Sequence, residues 1–127
     1  MNASRFTRRQ VIGQAATVGV ALAAGRSFAQ GKEIKIGQTM PYSGPLSAQG
    51  MMTGKTMQGY FDKVNQEGGI NGRTIKLISL DDGYSPPKTV EQTRRLVEQD
   101  EVLMIFSSLG TPTNTAIHKY VNAKKVP

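Results

Sequence analysis

Strand-like and helix-like segments alternate along most of this chain, and that alternation restricts the fold more than any other feature of the sequence. Alternating or continuous apolar patterns predict strands over residues 33–39, 73–82 and 102–106. Apolar residues at helical spacing predict helices over 51–66, from Pro86 or Pro87 onward, and over 112–124. The order β-α-β-α-β-α implies an α/β fold, a parallel sheet with right-handed crossovers and flanking helices.

Three segments should lie at the functional edge of such a sheet, because ligands of open α/β sheets bind beyond the carboxyl ends of the strands. These segments are residues 40–50, 81–87 and 107–113. Each follows a predicted strand and precedes a predicted helix. We therefore examine them in turn for residues that bind or react.

The third segment surrounds a glycine with hydroxyl side chains: Ser107, Ser108, Thr111 and Thr113 around Gly110. The spacing predicts Thr111 as the N-cap and Pro112 as the first helical residue. Free N–H groups and the helix dipole at that position favour an anionic oxygen such as a carboxylate, and a polar neutral group would also suit them. A nucleophilic serine would need a base, and His118 lies two helical turns away. A plain helix cap is the other interpretation.

The first segment combines polar and aromatic side chains without charge: Tyr42, Ser43, Ser47 and Gln49. It serves equally well as the wall of a ligand site and as a surface loop. Its glycines, Gly44, Gly50 and Gly54, do not have the Gly-x-Gly-x-x-Gly spacing of a dinucleotide site, and no Walker loop follows. The pattern therefore argues against a nucleotide cofactor.

Two adjacent carboxylates, Asp81 and Asp82, end the second strand. A carboxylate pair can hold Mg²⁺ or act as acid and base. The favoured interpretation is that one carboxylate braces the following loop while the other is solvated. The chain has no cysteine and one histidine, so disulfides and thiolate metal sites are excluded and a histidine metal site is disfavoured. We expect no metal and no cofactor.

The formal net charge of +7 is concentrated at the N-terminus. Residues 1–29 contain four arginines and no acid, whereas the later residues carry twelve basic and nine acidic side chains. The later charges are scattered, so we predict a solvated surface and no nucleic-acid partner.

The first 29 residues have the organisation of an export signal. Arg8 and Arg9 precede a modestly apolar run over residues 11–24, and Ser27 and Ala29 are the small residues that a signal peptidase reads. Residues 7–12 resemble a twin-arginine signal. We predict a signal peptide over 1–29, export by the twin-arginine or the general secretory machinery, and a periplasmic mature protein. An amphipathic helix of the folded domain is the alternative.

Three motifs together give the mature chain a family resemblance: Ser43-Gly44-Pro45, then Gly68-Gly69-Ile70-Asn71-Gly72, then Asp81-Asp82 with Pro87-Lys88. In this order they resemble the start of a periplasmic substrate-binding protein of the branched-chain amino acid (Leu/Ile/Val) type. The resemblance implies two α/β lobes that close on a solute and deliver it to the permease of an ABC transporter, without catalysis. Residues 30–127 would form an incomplete N-terminal lobe, since Val126 and Pro127 resemble the entry to a fourth strand.

The resemblance also implies a set of ligand contacts. The loop after the third strand would hold the ligand's amino and carboxylate groups through Ser108, Leu109, Gly110, Thr111 and Thr113. The loop after the first strand would cover the ligand through Ser43, Ser47 and Gln49. Many members have an aromatic residue where this chain has Gln49. Because the family also binds amides and aromatic acids, the resemblance implies an amino acid, an amide or an aromatic acid as the ligand. An exported enzyme that uses Asp81, Asp82 and the loop serines is the alternative, and a sensory ectodomain of the same fold is a third.

Overall fold

Three parallel strands form a single sheet in the computed structural model, which describes residues 33–127. The elements are β1 (Ile34–Met40), α1 (Ser47–Gln66), β2 (Ile75–Asp81), α2 (Pro86–Glu98), β3 (Met104–Ile105) and α3 (Thr111–Lys124). The predicted alternation and the parallel sheet with flanking helices are confirmed. The predicted signal peptide over residues 1–29 lies outside the described residues.

The central strand of the sheet is β1, in the order β2-β1-β3. It pairs with β2 over its whole length, from Ile34↔Ile75 to Met40↔Asp81, and with β3 at two positions. The chain therefore moves to one side of β1 to form β2 and then crosses to the other side to form β3. This reversal creates a topological switch point between β1 and β3.

The helices cover opposite faces of the sheet, as two neighbouring residues of β1 demonstrate. Ile36 packs in a cluster with Phe61 of α1, whereas a side chain at Gly37 would meet Leu96 of α2 at 3.2 Å. Successive residues of a strand point to opposite faces. Consequently α1 lies on one face of the sheet and α2 lies on the other, where α3 packs against it.

The first helix begins at Ser47, four residues before the predicted start at residue 51. A turn with Gly44 at φ 79° leads into it, and the Ser47 N–H donates to the Gly44 carbonyl at 3.1 Å. Gly50, which the sequence pattern placed in the loop, is therefore a helix residue, whereas Gly44 stays in the turn. Gly50 lies inside the first turns of α1, where its missing side chain lets the helix approach the carbonyl of Pro41.

The third strand is shorter and less buried than the continuous apolar run over 102–106 predicted. Leu103 is 62% exposed and Phe106 is 38% exposed. Glu101 and Ser107 adopt left-handed conformations, with φ of 53° and 52°, and these bends limit the regular strand to two residues. Among residues 33–127, no helix has the combined length and apolar character needed to span a bilayer.

Candidate functional site

One carboxylate joins the loop after β1 to the loop after β2. Asp81 Oδ1 accepts the N–H groups of Tyr42 at 2.9 Å, Ser43 at 3.0 Å and Gly83 at 3.0 Å. Its second oxygen accepts the Ser43 hydroxyl at 2.7 Å and the Lys88 ammonium at 2.8 Å. The bond from Lys88 is the main reason that the pKa of Asp81 lies well below its usual range. A carboxylate that is ionised at neutral pH and has both oxygens engaged is a loop brace and a poor general base.

The neighbouring carboxylate is buried, so neither carboxylate is left to solvent alone, whereas the prediction had one of the two solvated. Asp82 is 0% exposed and accepts the Tyr84 N–H and the Thr89 hydroxyl, each at 2.9 Å. Its burial is possible because both of its oxygens receive hydrogen bonds from the start of α2 and the turn before it. Both carboxylates therefore brace the loop. The part of the chain that the structure describes contains no cluster of three metal-ligating side chains.

The loop after β3 is held by the backbone of β1. Phe106 donates its N–H to the Gly37 carbonyl at 2.8 Å, and Leu109 donates to the Thr39 carbonyl at 3.4 Å. The Thr39 N–H in turn donates to the hydroxyl oxygen of Ser108 at 3.1 Å. The Ser108 hydroxyl thus accepts a structural hydrogen bond and keeps its own proton to donate to another group.

The third helix is capped at Gly110 and not at Thr111, contrary to the prediction. Gly110 has φ 109° and ψ 136°, and Thr111 is the first helical residue. A Cβ atom at Gly110 would overlap the ring of Tyr84 and would lie 2.7 Å from the Thr113 hydroxyl. Only glycine satisfies both the left-handed backbone and the close approach of that ring.

The first residue of α3, Thr111, has a backbone N–H without an acceptor among residues 33–127. Thr111 is exposed. The first N–H groups of a helix lack intrahelical acceptors, and the helix dipole adds positive potential there. This position therefore offers an N–H group and a hydroxyl to a carboxylate or another polar oxygen.

Two predicted contact residues use their side chains to hold the site together. Thr113 is 0% exposed, and its hydroxyl donates to the carbonyls of Leu109 at 2.7 Å and Gly110 at 2.8 Å. Ser43 donates its hydroxyl to Asp81. Their side chains fix the loops, so a ligand would meet the neighbouring backbone first.

Ser47 and Gln49 lie on the first turn of α1 and not in a loop. Residues two apart on a helix point in nearly opposite directions, so these side chains do not face one point. Gln49 is exposed and Ser47 is half-buried. The half-buried loop residues Leu109 and Gly110 contribute backbone groups beside Ser108.

Residues 33–127 match a family model described as periplasmic binding protein. The chain belongs to the periplasmic binding protein family. The match covers every described residue and includes the three loops that converge at the switch point. The family resemblance carried by the sequence motifs is therefore confirmed.

Individual relatives agree with this assignment. Over 95 residues, which are 75% of this chain and 24% of the relative, the sequence is 29% identical to "Leu/Ile/Val-binding protein homolog 7" of Brucella abortus. A branched-chain amino acid transporter substrate-binding protein, LivJ of Streptococcus pneumoniae with isoleucine, has TM-score 0.71 and 29% identity, covering 76% of this chain and 28% of its own. An ABC transporter solute-binding protein of R. palustris with benzoate has TM-score 0.65 and 25% identity, covering 75% and 26% of the two chains.

This periplasmic binding protein chain spans about a quarter of the length of those relatives. The likeness in structure confirms the predicted fold class, a parallel sheet with flanking helices of the type found in such receptors. The comparisons give no support to the alternative of an exported enzyme, since the family is one of solute-binding proteins.

Two residues of the site, Tyr84 and Gln38, carried no functional prediction, and a third, Tyr42, was expected only as part of a possible ligand wall. Tyr84 covers Gly110, Tyr42 lies between Asp81 and α1, and Gln38 is a fully buried amide in β1. A large polar side chain within a predicted strand was the available signal for Gln38. Nothing local marks Tyr84, because its partner lies in a different loop.

Proposed function

We propose that this chain forms part of the first lobe of a two-lobed extracytoplasmic receptor that captures an amino acid or a related small polar solute. The receptor would deliver the solute to the permease of an ABC transporter. One observation carries the proposal. The N–H and the hydroxyl of Thr111 are free beside the β1/β3 switch point, and no charged side chain among residues 33–127 binds to them. The names of the relatives, which include leucine, isoleucine, valine and benzoate ligands, support the solute class.

The ligand carboxylate would accept hydrogen bonds from the Thr111 N–H, the Thr111 hydroxyl and the Ser108 hydroxyl. The Leu109 and Gly110 backbone would line the same side, above the buried Thr113. Ser43 would approach through its backbone from the loop after β1, and Ser47 and Gln49 would approach from the start of α1 in different directions. Hydrogen bonds from oriented N–H groups replace the hydration of a carboxylate without a counter-ion, which suits a receptor that must release its ligand.

Binding without catalysis is the function we favour over hydrolysis. Asp81 and Asp82 are both occupied by loop hydrogen bonds, and the Ser108 hydroxyl is engaged by a backbone N–H. A serine nucleophile needs a base within hydrogen-bonding distance. His118 is exposed on α3, two turns beyond the loop.

The binding proposal is tested by calorimetry on the two-lobed protein with isoleucine, short amides and benzoate. Thr111→Ala should weaken binding of the best ligand about tenfold, since one charge-assisted hydrogen bond is lost. Thr115→Ala is the matched control, because Thr115 is an exposed threonine one turn further along α3. Absence of binding across the panel by the folded, unsubstituted protein would refute the proposal.

We further propose that residues 1–29 direct export to the periplasm as a twin-arginine-type signal. The paired arginines Arg8 and Arg9 and the apolar run after them support it. Replacing both with lysine should trap the precursor in the cytoplasm if export uses the twin-arginine route. Unchanged export of that variant would indicate the general secretory route, and unchanged export after deletion of residues 1–29 would disprove the signal.

A further inference from the structure

A buried amide in the central strand connects the two loops on either side of the switch point. Gln38 is 0% exposed, and its side chain lies on the α1 face of the sheet. Its Oε1 accepts the Ser79 hydroxyl of β2 at 2.9 Å, and its Nε2 donates to the Ser107 carbonyl at 3.2 Å and to the sulfur of Met57. A buried amide is tolerated when its hydrogen bonds are made, and these partners use both ends of it.

The orientation of this amide is fixed by its partners. The Ser107 carbonyl can only accept, so the nitrogen of Gln38 must face it and the oxygen must face Ser79. The single hydroxyl proton of Ser79 is then used on Gln38, so the Tyr42 hydroxyl, 2.5 Å from Ser79, must be the donor in that pair. The resulting relay runs from Tyr42 through Ser79 and Gln38 to the carbonyl of Ser107, and we name it the Gln38 relay.

Each end of the Gln38 relay lies in a loop of the proposed ligand site. At one end, the Tyr42 N–H donates to Asp81, and the Tyr42 hydroxyl packs closely on Gly54 of α1. These two contacts fix the position of Tyr42. At the other end, Ser107 adopts a left-handed φ of 52° directly before Ser108 and the loop that leads to Thr111. A non-glycine residue in this conformation is retained only where its surroundings determine it.

We infer that Gln38 is a positioning residue that fixes the distance between the loop after β1 and the loop after β3. Its role rests on the proposed function in one respect, since those loops are the two sides of the proposed ligand site. The other contacts between the loop after β3 and β1 involve the β1 backbone, so side-chain substitutions in β1 leave their donors and acceptors in place. Among these contacts, only the Gln38 side chain links Ser107 to β2 and, through Ser79, to Tyr42. A buried polar network whose hydrogen bonds are all made holds the loops in one arrangement, whereas apolar packing alone is compatible with several arrangements.

The experiment compares Gln38→Met with Ile36→Val in the two-lobed protein. Methionine keeps the length of the glutamine side chain and removes the hydrogen bonds to Ser79 and Ser107. Ile36 lies two residues earlier on the same face of β1 and outside the relay, so Ile36→Val reports a core change without a loop change. Ser79→Ala removes the hydroxyl between Gln38 and Tyr42, and it replaces Gln38→Met in both measurements if Gln38→Met does not fold.

The first measurement is hydrogen exchange without ligand. Gln38→Met should raise the exchange rate of the Leu109 amide, which donates to Thr39, at least fivefold more than Ile36→Val does. Amides of the β1–β2 ladder should respond equally in both variants. Equal exchange at Leu109 in the two variants would overturn the inference, whatever ligand the protein binds.

The second measurement is the dissociation constant of the best ligand in the panel. Gln38→Met and Ser79→Ala should each weaken binding about fivefold, and the double variant should be no weaker than the poorer single variant, because both act through one relay. Additive losses would overturn the relay. If the unsubstituted protein binds nothing, the proposed function fails, and the exchange measurement still decides the role of Gln38.

Discussion

Two glycine-to-alanine substitutions in α1 should change stability in opposite directions. Gly50 and Gly59 both lie inside the helix, and both substitutions remove the conformational freedom of glycine from the unfolded chain. Their surroundings differ. A methyl group at Gly50 would overlap the carbonyl oxygen of Pro41 and would lie 2.7 Å from its carbon, whereas nothing lies within 4 Å of a methyl group at Gly59.

The expected magnitudes follow from those surroundings. Alanine is better than glycine in a helix interior by about 0.8–1.0 kcal/mol, so Gly59→Ala should stabilise the protein by nearly that amount. Overpacking against a rigid backbone costs about 1–3 kcal/mol. Gly50→Ala should therefore lower the free energy of unfolding by up to ~2 kcal/mol after the helix gain is subtracted. The gap between the two variants, ~1–3 kcal/mol, depends mainly on the contact with Pro41.

Urea unfolding followed by circular dichroism at the helix band measures this gap. With a slope of about 1 kcal/mol per molar urea for a domain of this size, the midpoint should rise by about 0.8–1 M in Gly59→Ala. The midpoint of Gly50→Ala should fall, with an unchanged slope. If Gly50→Ala raised the midpoint as far as Gly59→Ala, α1 would not be packed on the loop after β1, and the placement of Ser47 and Gln49 would be wrong.

Two titrations test the charged contacts. Lys88 depresses the pKa of Asp81 in the folded protein. The contribution of Asp81 to the free energy of unfolding should therefore be complete above the usual aspartate pKa of about 3.9 and be lost as the pH falls through the folded pKa. The stability difference between the unsubstituted protein and Asp81→Asn should shrink below about pH 4, and a constant difference down to about pH 2 would contradict the brace. The pKa of Tyr120 is raised by burial first and by its hydrogen bond to Glu98 second. Its phenolate absorbance, identified by subtraction of Tyr120→Phe, should consequently appear at lower pH in Glu98→Gln, and no movement would mean that the two side chains do not interact in solution.

The order and type of the elements were predictable from the sequence, because they depend on short-range periodicity. Alternation in β1 and helical spacing around Phe61 report which face is buried whatever the distant partners are. The same periodicity does not determine where an element stops. The start of α1 depends on whether Gly50 approaches Pro41, and that contact exists only after the loop has folded back.

The site was predictable in position and less so in detail. Strand ends and helix starts located it, but the cap of α3 was assigned to Thr111 because threonine is a common N-cap and Pro112, a typical first helical residue, follows it. The ring of Tyr84 decides against it, from a loop 26 residues away. Which of the two carboxylates would be buried was not predictable for a similar reason, since the burial of Asp82 depends on Thr89. Partners far apart in sequence also explain why the role of Gln38 was missed.

The structural roles of the hydroxyls at the switch point limit how the proposed ligand site can be redesigned. Three of these hydroxyls form hydrogen bonds that hold the loops in place, namely those of Ser43, Ser108 and Thr113. A mutant library that varies these residues would therefore mainly contain proteins with unfolded or displaced loops. Thr111 and Gln49 are exposed in the first turns of their helices, and their side chains make no structural hydrogen bond to residues 33–127. A biosensor for a new solute would be sought first by randomising those two positions on an otherwise fixed scaffold.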